Sequence, residues 1–219
     1  MKNIYSRQRL TLWTISLLFL CTCGIGNASV ASGGQIETPE SVLNLVGTNF
    51  LNDKPGVENT TAKVATVLVF VKHDCPIANS YVPTLNRIQN DFKPHGIRFL
   101  MVYPSPMITT EIARSHANDF SIEIPGILDP TLAIASVFDA KVTPEVVVVD
   151  QTGKPLYRGR IDDKYVGFGK RRPTPTRHDL REALDDVVAK RPVQIPATKP
   201  LGCIIPRFAS PSRQRSDDR

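Results

Sequence analysis

VATVLVFVKHDCPIANSYVP, residues 64–83, is the stretch on which the fold turns. Val64–Val71 is a nearly unbroken run of β-branched and apolar residues, as expected of a strand buried on both faces in a parallel sheet. Lys72-His73-Asp74-Cys75-Pro76 interrupts the run. From Ile77 to about Phe92, Leu85, Ile88 and Phe92 then recur at helical spacing. Proline directly after the cysteine suits a first helical turn, where its missing N–H is no loss. Cys75 is thereby placed at a strand-to-helix turn, where unsatisfied amides and the helix dipole favour thiolate over thiol. Such turns open on the surface, so an accessible, reactive sulfur is expected. Lys72 and His73 add positive potential, and Asp74 opposes it.

Working outward, Gly96 ends this unit and Ile97–Tyr103 reads as a second strand. Thr109–Phe120 is a helix capped by Thr109 or Thr110, Ile124–Leu128 a short strand, and Leu132–Phe138 a short helix. Glu145–Val149 is a β-branched strand closing at Asp150. A turn with Gly153 at positive φ leads into the antiparallel strand Pro155–Ile161. Arg177–Ala189, with Thr176 as cap, is the last helix. The order βαβαβαββα predicts an α/β sandwich whose central mixed sheet starts parallel and ends in an antiparallel hairpin, flanked by helices. His95 and His116 read as a loop and a helix-surface histidine, and His178 as neutral and peripheral. Arg158, Arg160, Asp162 and Asp163 are expected to pair across the hairpin end. Lys170-Arg171-Arg172 reads as a solvated loop.

The 219 residues suit one domain plus extensions, and the 41% hydrophobic content is ample for a core. The net charge of +6 is uneven: residues 1–31 carry +3, residues 32–169 carry −3 and residues 170–219 carry +6. A slightly acidic body argues against nucleic-acid binding, which favours a basic stripe on a folded surface. Lys2, Arg7 and Arg9 before the apolar run Leu10–Leu20, with small residues to Ser32, read as a signal peptide over residues 1–31. Export to a periplasmic or extracellular space is expected, with membrane attachment only if the leader stays uncleaved or Cys21 or Cys23 carries lipid. Residues 32–190 form the domain, and residues 191–219, rich in Pro, Arg and Ser, a basic tail containing Cys203. Cys75 and Cys203 are then the cysteines left in an oxidising compartment.

Cys75 and Pro83, eight residues apart, resemble the thioredoxin motif, in which a proline follows the first cysteine at that interval. Val142-Thr143-Pro144 before a strand resembles the Thr-Pro corner that faces the active-site sulfur in the same superfamily. Asn49–Asp53 before Gly56 loosely resembles a redoxin opening. Together these features resemble the exported redoxin branch of the thioredoxin-like superfamily, which includes the alkyl hydroperoxide reductase/thiol-specific antioxidant group and the cytochrome-maturation thioredoxins. The resemblance covers about residues 40–190. It implies Cys75 as nucleophile, Pro83 kinking the helix, and a cis Thr143–Pro144 peptide presenting backbone to a bound partner, beside Pro76. Lys72 and His73 are the supporting charges.

Departures from the motif shape the functional expectation. Ala78 stands where the second cysteine of C-x-x-C belongs, so Cys75 works as a monothiol or with a resolving thiol from elsewhere, for which Cys203 is the candidate. Lys72 and Leu68 occupy the positions that bind peroxide in peroxiredoxins, which makes a thiol peroxidase the weaker reading. A thiol-disulfide oxidoreductase acting on protein or small-molecule thiols and disulfides, or serving an electron-transfer or cytochrome partner, is the leading expectation. A thioredoxin-fold docking module for a protein, metal or haem partner is the alternative. No cofactor is called for, and Cys75 with His73 alone is a weak metal site.

Overall fold

The computed structural model describes residues 64–207. The proposed leader, Cys21, Cys23 and the Asn49–Gly56 opening lie outside the described residues. No described helix is long and apolar enough to cross a membrane. In chain order the elements are β1 (Ala65–Phe70), α1 (Pro76–Phe92), β2 (Ile97–Tyr103), α2 (Thr110–Asp119), β3 (Gly126–Leu128) and α3 (Ala133–Val137). They continue with β4 (Val142–Thr143), β5 (Glu145–Asp150), β6 (Pro155–Gly159), β7 (Tyr165–Gly167), β8 (Lys170–Arg171), α4 (Asp179–Val188) and β9 (Cys203–Ile204). The central sheet has the order β3-β2-β1-β5-β6, with β1, β2 and β3 parallel and β5 and β6 antiparallel additions. This is the expected mixed sheet with its terminal hairpin.

The apolar run of β1 divides by residue parity, because successive side chains of a strand point to opposite faces. Val67 and Val69, with Phe99, Met101, Val146 and Val148, join a core that includes Leu85 and Ile88 of α1 and Leu180 and Leu184 of α4. Leu68 and Phe70, with Leu100, Val102, Val147 and Val149, join the second core with Ile134, Phe138 and Ala140. Both faces are therefore covered, and that is why β1 shows no polar alternation.

Three local expectations need correction. The cap of α4 is His178, not Thr176. The Thr176 amide and hydroxyl instead donate to Asp163, at 2.7 and 2.5 Å, beside the Arg177 amide at 3.0 Å. The four charged residues of the hairpin end do not pair with one another. Arg160 binds Asp179, Arg158 binds Asp139, Asp162 accepts from the Tyr81 hydroxyl, and Asp163 faces Arg172. Each charge finds a partner on the element packed beside it, which linear proximity does not reveal. Lys170 and Arg171 form β8 of a small hairpin with β7 rather than a loop.

The chain beyond Lys190 also differs from a solvated tail. Arg158 donates to the Pro196 carbonyl and Thr198 donates back to the Arg158 carbonyl, both at 2.9 Å. β9 then pairs antiparallel with β4, Val142 opposite Ile204 and Thr143 opposite Cys203. Ile205 is buried in the second core. Burying one isoleucine contributes about 1.5–3 kcal/mol, and paired main chain adds to it. That is enough to hold a segment whose composition looks like a tail. The stretch 196–207 is called the strap below.

Asp163 yields a stability prediction. Hydrogen bonding from Thr176, joined by the Thr176 and Arg177 amides and the Arg172 charge, holds its carboxyl at about 2. The folded value is depressed, so this stabilisation is fully present above the unfolded carboxylate value of about 4 and fades as pH falls towards 2. Asp163→Asn is expected to cost about 2 kcal/mol at neutral pH. In denaturant titrations at stepped pH, the variant should also lose less stability than the parent between pH 4 and 2.

Candidate functional site

The register of β1 against β5 builds the site. Phe70 lies opposite Glu145, so the chain leaving β1 towards Cys75 runs beside the chain entering β5 from Pro144. Cys75 is the N-cap of α1 with extended backbone, Pro76 stands at the first turn, and no side-chain hydrogen bond caps the helix. The Thr143–Pro144 peptide is cis. Glu145, buried, accepts from the Lys141 and Val142 amides at 2.8 and 3.3 Å and holds the corner in place. Thr143 is fully buried, and its carbonyl oxygen lies 3.1 Å from the Cys75 sulfur.

Cys75 itself is 0% exposed, contrary to the accessible thiol expected of a strand-to-helix turn. The strap is the reason. Cys203 places its sulfur 2.6 Å from that of Cys75, in donor contact with it, and Thr143 donates its hydroxyl to the Cys203 carbonyl at 3.4 Å. Both cysteines are free thiols. Gly202 lies so close to the corner that a Cβ there would overlap the Thr143 carbonyl. Leu201 lines a small cavity with Tyr81, Pro144 and Tyr165.

Burial works against ionising Cys75. It is outweighed by the Cys203 thiol, the Ala78 amide and Thr143, and the Cys75 pKa falls below its ordinary value. Ala78 is the third residue of α1, so its N–H belongs to the group of amides at the helix start that favours negative charge on the N-cap sulfur. Cys203 moves the other way, pushed up to about 11 by burial and by the hydrogen bond to, and charge of, Cys75. Of the two sulfurs, Cys75 is the easier to ionise and Cys203 the one that holds its proton more tightly. Lys72 pairs with Asp74, 3.3 Å away, and also favours ionised Cys203. The His73 Nδ1 is buried without a hydrogen-bond partner. Pro83 lies inside α1 on its exposed side, and the helix continues through it. Among the described residues no cluster of three or more His, Cys, Asp or Glu side chains could hold a metal.

A polar chain beneath the site was not anticipated. His116, expected on the helix surface, is 4% exposed. Asn79 donates its amide to the His73 carbonyl at 2.9 Å, which leaves its oxygen to accept from His116 Nε2, also at 2.9 Å. His116 Nδ1 then accepts from the Tyr103 hydroxyl at 2.9 Å. This chain ties the loop before Cys75 to α2 and β2. Ala113, His116 and Ala117 are the buried residues of α2, and that three- and four-residue spacing was the available signal.

Two predictions arise here. Burial holds His116 down to about 4. Its folded value is depressed, so the unfolded chain takes up a proton first and stability declines as pH falls from about 6.5 to 4. Thermal unfolding at stepped pH should show that decline, and His116→Gln should flatten it. Alkylation of Cys203 against pH in the parent and in Cys75→Ser should give it an apparent pKa above the ordinary thiol value in the parent. It should fall back towards ordinary in Cys75→Ser, where the neighbouring sulfur is gone.

The AhpC/TSA family model matches residues 53–157. An uncharacterized conserved protein of Geobacillus kaustophilus is 27% identical, with a TM-score of 0.63 over 74% of this chain and 88% of that one. A hypothetical protein of Sinorhizobium meliloti is 23% identical, with a TM-score of 0.60 over 69% of this chain and 84% of that one, a likeness of fold alone. Among curated proteins no sequence match was found. The fold is thioredoxin-like, with a mixed central sheet, an N-cap cysteine on α1 and a cis Thr-Pro corner facing it, and just under half of the chain is similar to the AhpC/TSA family.

Proposed function

We propose that this chain is an exported thiol-disulfide oxidoreductase in which Cys75 is the nucleophile and Cys203 the resolving thiol. The observation that carries the reading is the 2.6 Å approach of the two sulfurs across 128 residues of sequence. Cys75 as thiolate attacks one sulfur of a partner disulfide. A Cys75–partner disulfide forms, and the partner's second sulfur leaves as thiolate. Joining the partner removes the Cys75 charge that holds the Cys203 proton, so Cys203 becomes easier to ionise. Cys203 then attacks Cys75, and the partner leaves with both of its thiols. The product is a Cys75–Cys203 disulfide, which a thiol reductant returns to the dithiol.

Ala78 in place of a local second cysteine is consistent with this assignment, since the resolving sulfur arrives on the strap instead. Thr143 and Pro144 line the approach as the partner-facing wall. The positions that bind peroxide in peroxiredoxins carry Leu68, buried in β1, and Lys72, paired with Asp74. They support disulfides rather than peroxides as substrates. The acidic body, the basic leader and the two remaining cysteines support work in an oxidising compartment.

The test is turnover of a protein disulfide with a thiol reductant. Cys75→Ser is expected to fall to background. Cys203→Ser is expected to accumulate a mixed disulfide on Cys75, visible in non-reducing mass analysis. The oxidised parent should yield a peptide pair joining Cys75 and Cys203. A Cys75 that no disulfide reagent modifies would reject this function and leave a docking module.

A further inference from the structure

The strap touches the corner through side chains and main chain in a defined order. Leu201 lies beside Tyr81, Pro144 and Tyr165. Gly202 rests against the Thr143 carbonyl and the Pro144 nitrogen. Cys203 sits over Cys75, Ile204 points outward at 77% exposure, and Ile205 is 2% exposed in the second core. Main-chain pairing with Val142 and Thr143, and the Ile205 amide donating to the Lys141 carbonyl at 3.0 Å, fix the register. The groove is thus already filled by an extended segment, Leu-Gly-Cys-Ile-Ile.

Cys75 is buried with the strap in place, and an incoming sulfur that takes the place of the Cys203 sulfur is in reach of it. The residue before it then meets the Thr143 carbonyl, where no side chain fits. From this we infer that the strap is the resident occupant of a strand-docking groove. A polypeptide partner enters by displacing the strap, with a segment in which glycine precedes the reacting cysteine and aliphatic residues stand two positions to either side. The inference rests on the oxidoreductase reading and adds which partners it accepts. Strap and partner exchange strand for strand, and return of the strap delivers Cys203 for resolution.

The probes are peptides of residues 199–207, Lys-Pro-Leu-Gly-Cys-Ile-Ile-Pro-Arg, with the cysteine activated as a mixed disulfide with 2-thiopyridine. A second peptide carries valine for the glycine, and activated glutathione is the reference. The Cys75 thiolate attacks the peptide sulfur, the peptide–thiopyridine bond breaks, and 2-thiopyridone leaves with the electron pair. The full-length double variant Gly202→Val/Cys203→Ser opens the groove, because valine cannot occupy the place of Gly202. Transfer of the glycine peptide is expected to be at least about tenfold faster than that of the valine peptide. It should also be slower on Cys203→Ser, whose strap stays docked, with the same preference there. That second variant keeps the peptide comparison decisive however well the double variant folds. Equal rates for the two peptides overturn the inference and leave the oxidoreductase reading standing. Equal rates on the two proteins overturn the strap's role as occupant. No reaction of Cys75 with any of the three reagents overturns both.

Discussion

A sulfur held out of water yet made easier to ionise is the constraint around which this structure is arranged. Desolvation alone would keep Cys75 protonated, and no cation contacts its sulfur among the described residues; the Lys72 charge is taken by Asp74. Dipoles favour its ionisation instead: the Ala78 amide at the start of α1 and the Cys203 thiol aimed at the sulfur. Such dipoles act only at hydrogen-bond distance, so their placement demands a rigid frame. Pairing of β1 with β5 supplies it, because Phe70 opposite Glu145 brings the ends of two connections together. Glu145 and the Asn79–His116–Tyr103 chain then fix the two sides of the resulting cleft.

How much of this could be read from the chain follows from the range of the forces involved. β1 and α1 were legible because an apolar run and a Cys-Pro junction are local signals, and Val142-Thr143-Pro144 was legible as a motif before a strand. Their meeting was legible only through resemblance, since nothing local ties residue 75 to residue 144. His116 was misread because the sequence shows a polar helix, and two alanines are weak markers of a buried face. Thr176 has the residue type of a cap, but Asp163 competes for its amide and hydroxyl from a different element. The hairpin charges failed likewise, each pairing with a residue distant in sequence.

The strap was hidden for another reason. Its composition, with three prolines and two basic residues in twelve, is that of a solvated tail, and much of its attachment is main-chain hydrogen bonding that leaves little mark on side-chain identity. Only a few positions carry a signature. Thr198 serves both Tyr157 and Arg160, Gly202 has no room for a side chain, and Ile205 completes a core. Gly159, at φ 145°, marks the same contact from the other side, where Thr198 fills the space a side chain would need.

Burial and reactivity conflict in a static picture, since a sulfur that nothing can reach attacks nothing. The conflict is resolved if the cover carries the second sulfur. A lid without a thiol would protect Cys75 while idling it, and a thiol on a free tail would resolve mixed disulfides slowly. In the proposed cycle, placing Cys203 within a two-residue strand joins both tasks. The strand is short enough to be displaced with the loss of a few main-chain bonds and one buried isoleucine. Its register with Val142 and Thr143 returns the sulfur to the same point each time. On the proposed exchange, specificity follows from the same geometry, because whatever replaces the strap meets the wall that leaves Gly202 no room for a side chain.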